Sequence, residues 1–352
     1  MQSAAALCAR RSPAIEPGPH LQYRSRMNST ASIMRRTLAL SICTSALLVC
    51  ETAAQTLADI REEIRENLHD SHFAAGFSTL IASASELELV SGSYFFDDHF
   101  DTQISVFALP WSHTFSGDGE SPWGLYVEAA IGYAEDRQKI ADIWQGALPG
   151  LETRITSKSW TISGLAGAGV EFEVDEGFTL TPIIDLGLAH LENKATYVGD
   201  GADFTHAILD DIALNWNAWT VMYGAAGMAQ WKRELEGDRE FTLIARYDVR
   251  WTDSFHTDDR AQEFSARNQF ATLRMDLTGP TGMEALGGML RWRGTLGYRE
   301  MVEGDLEGLD RYGTIGAGLE LLDAAPFRIS LDAALIIGEE MYGYSVGLGL
   351  RF

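Results

Sequence analysis

The chain has 352 residues, 50 acidic against 27 basic, and a net charge of −23. That length suits one large all-β domain or two ordinary domains. The acidic balance argues against a nucleic-acid partner, because phosphate binding needs a basic surface.

The positive charge is concentrated at the start. Residues 1–54 hold six arginines (Arg10, Arg11, Arg24, Arg26, Arg35, Arg36) against Glu16 and Glu51, a net +4 that leaves the remainder at −27. From Met34, MRRTLALSICTSALLVCETAAQT has a basic start, an apolar run from Leu38 to Cys50 and small residues at Thr52 and Ala54. This pattern predicts a secretory signal cut after Ala54, its apolar run too short to span a bilayer. Residues 1–54 are thus expected to be leader and signal, with Met27 or Met34 as the initiator. Cys8, Cys43 and Cys50 all fall in that removable part, so the exported chain is expected to use neither disulfide nor thiol chemistry. Lipidation at Cys50 is the competing reading, but Val49 stands where a small residue normally precedes a lipidated cysteine.

Residues 55–72 are expected to form a short helix and linker. Leu57, Ile60, Ile64 and Leu68 share one helical face, surrounded by Asp59, Glu62, Glu63 and Glu66. His69 and His72 have the spacing of one helical face, but two ligands do not make a zinc site. No cofactor is expected.

From Phe73 to Phe352 the period becomes two. In FTLIARYDVRW, Phe241, Leu243, Ala245, Tyr247, Val249 and Trp251 lie opposite Thr242, Arg246, Asp248 and Arg250. MLRWRGTLGYR (289–299) and FRISLDAALI (327–336) repeat the scheme. Such runs predict about twelve strands: 73–82, 102–110, 123–134, 159–173, 178–190, 216–232, 239–252, 264–278, 287–300, 311–321, 326–337 and 341–352. Counting ELELV (86–90) into an extra hairpin raises the number to fourteen. Tight turns at 175–177, 235–239 and 322–326 alternate with long polar connections at 135–158 and 191–215. The long strands carry Trp and Tyr near their ends: Trp123 and Tyr133, Trp219 and Trp231, Trp251, Tyr298 and Tyr342. Short turns on one side, long loops on the other and two aromatic girdles predict a closed antiparallel transmembrane β-barrel. A soluble β-sandwich is the lesser alternative, since its strands are usually about half as long. Closure requires the last strand to pair with the first, which places MYGYSVGLGLRF (341–352) against the strand near Phe73.

An exported chain with a short helix, about twelve alternating strands and the ending YSVGLGLRF resembles the solitary outer-membrane autotransporter-like β-barrel proteins over residues 57–352. The resemblance implies the Gram-negative outer membrane, with its lipid and lipopolysaccharide as surroundings, and a terminal Phe352 read by the barrel-assembly machinery. Only some eighteen residues separate Gln55 from the first predicted strand, so no passenger is expected.

The polar faces are expected to line the lumen. Arg246, Arg250, Arg274, Arg291, Arg293, Arg299 and Arg328 come from later strands, and Glu128, Glu171, Glu173 and Asp185 from earlier ones. Two readings follow: opposed charges create a transverse field across a narrow pore for small polar solutes, or they pair and fill the interior of a structural surface barrel. Lumen-facing glycines, among them Gly132, Gly167, Gly224 and Gly318, make room for the helix or permit strong coiling of the sheet. The helix is expected inside the pore or at its periplasmic mouth.

Catalysis is not expected. GLAGAG (164–169) and GTIGAG (313–318) lie inside strands, not between strand and helix. The alternative is a protease- or lipase-like site in the outer loops, built on FDDHFD (96–101) and HTDD (256–259). Only Asp97 and His99 fit the paired pattern that such proteases need.

Overall fold

The structure is a computed structural model that describes residues 57–71, 73–84, 92–96, 102–116, 121–140, 150–285, 288–304, 311–324, 327–339 and 341–351. The leader, the hairpin segment 86–90, Asp97, His99 and Phe352 lie outside the described residues. Two helical pieces come first: α1 (Leu57–Asp70), then a 3-10 turn (Phe73–Gly76) that runs directly into α2 (Phe77–Ala84).

The strands follow: β1 (Gly92–Phe96), β2 (Gln103–Ser116), β3 (Trp123–Ile140), β4 (Arg154–Asp175), β5 (Phe178–Val198), β6 (Trp216–Leu235), β7 (Arg239–Thr257), β8 (Ser265–Ala285), β9 (Gly288–Glu303), β10 (Arg311–Ala324), β11 (Phe327–Gly338) and β12 (Met341–Arg351). Helix α3 (Ala202–Leu209) interrupts the connection between β5 and β6. From β2 to β12 each strand pairs antiparallel with the next, and β1 pairs on both sides, with β2 and with β12.

Two expectations change here. The strand expected at 73–82 is helical, because the polar residues of FAAGFSTLIASA, Ser78, Thr79 and Ser83, do not alternate with the apolar ones as a strand facing water requires. The partner of β12 is therefore β1, with Gly92 opposite Ser345 and Phe96 opposite Met341. The connections at 135–158 and 191–215 are also shorter than expected: β3 continues to Ile140, β4 begins at Arg154 and β5 runs to Val198. Ladder hydrogen bonds extend the strands past their apolar stretches. The tight turns at 175–177 and 235–239 stand as read, and residues 325–326 of the third lie outside the described residues. Gly177 has φ 72°, and Gly237 and Asp238 have 75° and 54°, the left-handed backbone that a short hairpin needs.

The outward face is apolar across the sheet. In β5, Ile184, Leu186 and Leu188 are 72%, 62% and 54% exposed, while Ile183, Asp185 and Ala189 on the opposite face are buried. The same parity holds in β12, where Tyr342, Tyr344 and Val346 are exposed and Met341 and Ser345 are buried. Such a continuous exposed belt far exceeds the apolar patch of a soluble monomer.

Aromatic side chains bound the belt. Toward the short turns, Trp123 lies opposite Phe172, and Phe178 opposite Trp231. Toward the long connections, Tyr133, Trp160, His190 and Trp219 form a chain across four strands with ring centroids 6.1, 5.6 and 4.8 Å apart. Ten residues separate Trp123 from Tyr133, and twelve separate Trp219 from Trp231. With ~3.4 Å rise per residue and ~40° tilt, the two girdles are about 26 to 31 Å apart, the thickness of a hydrocarbon core. Among the described residues no helix is long and apolar enough to cross a membrane, which says nothing about crossing by strands.

Candidate functional site: the filled lumen

Inward side chains, alternating with the lipid-facing ones, meet in the half of the lumen nearer the short turns. Arg246 on β7 reaches Glu128 on β3 with both terminal nitrogens, 2.8 Å to each carboxylate oxygen, and its Nε donates to Asp248 at 3.0 Å. Tyr126 donates its hydroxyl to Glu128 at 2.9 Å. Arg250 lies 3.7 Å from Asp185 and 3.9 Å from Asp248. Arg246, Glu128, Arg250 and Asp185 are all buried. A bidentate guanidinium–carboxylate pair between strands with three others between them means that the sheet curls tightly enough for its walls to touch. Tyr126, Ile183, Ala226, Met228 and Ile244 pack beside this network and exclude water from it.

A second network lies on the later strands. Arg293 is 2.9 Å from Glu320 and 3.6 Å from Asp332, and Arg274 is 3.0 Å from Asp276. Arg299 stacks over Phe270 at 4.3 Å. A cavity of about 80 Å³, lined in part by Arg274, Arg299, Tyr312, Thr314 and Asp332, leaves room for a few waters.

Of the other residues expected to line the lumen, Arg291 donates to Thr278 and to the carbonyl of Asp238 at the short-turn rim. Glu171 is half-buried and Glu173 exposed near the same end. Arg328 belongs to β11, opposite Arg351 in the ladder; its side chain is outside the described set. The carboxylates that complete the networks are Asp248 and Asp332, which stand on polar faces expected to line the lumen without being singled out, and Asp276 and Glu320, which were not named. Their inward parity beside an arginine two positions away or on the neighbouring strand was the available sign. Among the described residues, Arg246, Arg250, Arg274 and Arg293 each have a carboxylate beside them.

The half nearer the long connections is filled by α2. Leu80 and Ala84 pack with Ile104 and Val106 of β2, Ala134 of β3, Leu191 of β5, Trp216 and Ala218 of β6, Tyr312 of β10, Ile336 of β11 and Met341 of β12. Ile81 packs with Ala189, Met222 and Phe264, and Ala82 with Phe270 and Met301. Phe77 meets Trp216 edge-to-face at 5.2 Å. Gly132 explains the close fit. A Cβ there would lie 1.6 Å from the carbonyl oxygen of Ala84, so only glycine lets the end of α2 reach β3.

Helix α1 covers the mouth at the long-connection end, not the short-turn mouth where the sequence reading allowed it. Ile60, Ile64 and Leu68 pack on Ile208, Leu209, Ile212 and Ala261 from the connections on either side. Arg61 donates to the carbonyls of Ala207 and Asp210 at 2.7 and 2.8 Å, Arg65 pairs with Asp259 at 2.8 Å, and Arg260 pairs with Glu62. The Asp259 carboxylate, hydrogen-bonded to Arg65, raises that guanidinium above its ordinary value.

The acids of HTDD are occupied structurally. Asp258 accepts from Asn217, and Asp259 caps the turn at Arg260–Gln262 while holding Arg65. His69 sits 3.1 Å from the Arg260 carbonyl.

Residues 99–280 match the model of a family described as a solitary outer membrane autotransporter beta-barrel domain. None of the curated protein sequences compared with the chain matches it. Among solved structures, the chain is similar to the β domain of the Bordetella autotransporter BrkA, at 13% identity over 74% of this chain and 98% of that one, TM-score 0.42. It is similar to the translocator domain of the autotransporter NalP from Neisseria meningitidis, at 10% identity over 74% and 84%, TM-score 0.43. The transport unit of the autotransporter AIDA-I from Escherichia coli aligns at 13% identity over 79% and 98%, TM-score 0.48.

Proposed function

The chain belongs to the solitary outer membrane autotransporter β-barrel domain family, and from that membership we propose that it is a non-enzymatic transmembrane barrel of twelve strands, closed through β1 and stoppered by its own N-terminal helices. Short turns face the periplasm and long connections face outward, as in outer-membrane barrels generally. Residues 1–54 are the leader that directs export. At rest the barrel is a structural surface element and not an open pore for small polar solutes.

The observation that carries this reading is the placement of α2, whose buried Leu80, Ile81, Ala82 and Ala84 share apolar clusters with inward residues of β2, β3, β5, β6 and β8 to β12. A helix packed among inward residues of so many strands obstructs the passage of ions along the lumen. The ion pair of Arg246 and Glu128 closes a second level below.

Planar-bilayer conductance of the refolded chain tests the proposal. The full chain is expected to be silent apart from rare transient openings, and deletion of residues 57–84 to produce stepwise conductance. A steady ohmic conductance of the full chain, unchanged by that deletion, overturns the stoppered barrel.

A further inference from the structure

The chain has only four lysines, Lys139, Lys158, Lys194 and Lys232. Three of them lie on the outward faces of three adjacent strands at the long-connection end. In the ladder Arg137 of β3 is opposite Lys158 of β4, which is opposite Lys194 of β5. Lys139 follows two residues beyond Arg137, and exposed Arg154 lies four residues beyond Lys158 toward the same rim. Directly opposed like charges destabilise a sheet, so a row of three cations is not what packing alone selects.

Two carboxylates pair with the row. On the same outward faces, Glu135 takes Arg137 and Lys158, the latter at 2.8 Å, and Glu192 takes Lys194 at 2.7 Å. Within the three strands these faces carry five cations and two carboxylates at this end, with Glu152 just before β4 and Asp200 just after β5, in a chain of net −23. The side chains of Arg137 and Lys194 remain 60% and 67% exposed.

Position supplies the second observation. The row stands just beyond Tyr133, Trp160, His190 and Trp219, the aromatic girdle that marks where hydrocarbon gives way to headgroups. Lys158 is two residues past Trp160, and Lys194 four past His190, about 7 to 14 Å along the strands. That is headgroup depth on the side of the long connections.

We propose that the outward faces of β3, β4 and β5, through Arg137, Lys158 and Lys194 with Lys139 and Arg154 above them, form a docking surface for the phosphates of an anionic glycolipid of the outer leaflet, the class to which lipopolysaccharide belongs. The ammonium groups act as point charges toward phosphate, Arg137 adds a planar fork, and the aromatic girdle beneath packs against the start of the acyl region. Glu135 and Glu192 hold the cations upright between lipid exchanges. The surface gives the barrel a preferred side in the membrane.

Binding measured on the full chain, refolded in neutral detergent micelles, tests this. Bis-phosphorylated lipid A is compared with the same lipid A after enzymatic dephosphorylation, with phosphatidylglycerol and with inorganic phosphate. The expected result is at least tenfold tighter binding of bis-phosphorylated lipid A than of the other three. The triple substitution Arg137→Gln, Lys158→Gln, Lys194→Gln should abolish that preference, whereas Lys232→Gln at the other rim should leave it intact. Folding is monitored by heat-modifiable gel mobility. If the triple variant does not fold, Lys194→Gln alone is expected to weaken binding several-fold, with Lys194→Arg restoring it. Equal binding of phosphorylated and dephosphorylated lipid A, or a preference that survives in the folded triple variant, overturns the proposal. So does phosphatidylglycerol or inorganic phosphate binding as tightly as lipid A, because the surface would then read generic anionic charge or free phosphate.

Discussion

The two halves of the lumen are filled by different means. Toward the short turns the strands fill the space themselves, with Glu128, Arg246, Asp248, Arg250 and Asp185 meeting across it among apolar neighbours. Toward the long connections the filling comes from α2, a separate segment that contributes no strand and is capped by α1. The first seal is inseparable from the barrel, because opening it requires moving strands. The second is held by apolar packing of α2 and by ion pairs of α1, so it is expected to leave without unfolding the sheet. The difference predicts a barrel whose resistance to unfolding and whose closure reside in different places.

Breaking the first seal should have the largest effect. Arg246→Ala leaves Glu128 and Asp248 buried without their cation, and such a loss costs about 3–5 kcal/mol. Denaturant unfolding in lipid vesicles reads that loss directly. Pairing Arg246→Met with Glu128→Gln should recover part of it, because Glu128 is then no longer a buried charge without its cation and Asp248 keeps Arg250 at 3.9 Å. A single substitution that leaves the unfolding midpoint unchanged would mean that this network is solvated in the membrane.

In the second seal, Ile81→Ala removes a fully buried side chain from α2 and should cost about 2–4 kcal/mol of docking free energy. The prediction that separates the halves is where this cost appears. Hydrogen exchange should accelerate in α2 and α1, while β3 and β7 near Arg246 keep their protection. Acceleration spread evenly through the strands would show that the helices and the sheet unfold as one unit.

The smallest effect is expected from Arg65→Ala, which removes a half-buried pair worth under about 1 kcal/mol. It should raise exchange in α1 without reaching α2. The raised value of Arg65 works in one direction only: its contribution is present below the ordinary arginine range and is lost as pH rises through the higher folded value. Alkaline media up to about pH 10 should therefore leave the α1 contact in place. Release of α1 at that pH, seen as faster exchange, would assign the latch to another group.

Much of the sheet was legible because alternation is a local property. FTLIARYDVRW names its own faces, and the aromatic ends of β3 and β6 give the height of the belt. Parity also gives the face on which buried Arg246, Arg250, Arg293 and Arg299 lie, and two of the short turns were legible because Gly177 and Gly237 sit where a tight hairpin needs positive φ. Three things were not legible. FAAGFSTLIASA has no clean period of two, and its described side chains are buried or half-buried, so it lacks the strong amphipathic signature that identifies a surface helix. The five-residue β1 is too short to show a period at all. The carboxylates Asp276, Glu320 and Asp332 were inward by parity, but the pairs that Arg293 makes with two of them depend on which strands are neighbours.

By itself the sequence determined which residues face lipid and which face inward, because a strand assigns its faces one residue at a time. It also determined the ends of the belt, since indole and phenol groups partition to an interface wherever they occur. Only the tertiary structure decided that the last strand pairs with Gly92–Phe96, that Gly132 receives the end of α2, and that Arg137, Lys158 and Lys194 stand in one row. Each of those depends on register between segments far apart in the chain, and register is set by the whole ladder, not by any strand within it.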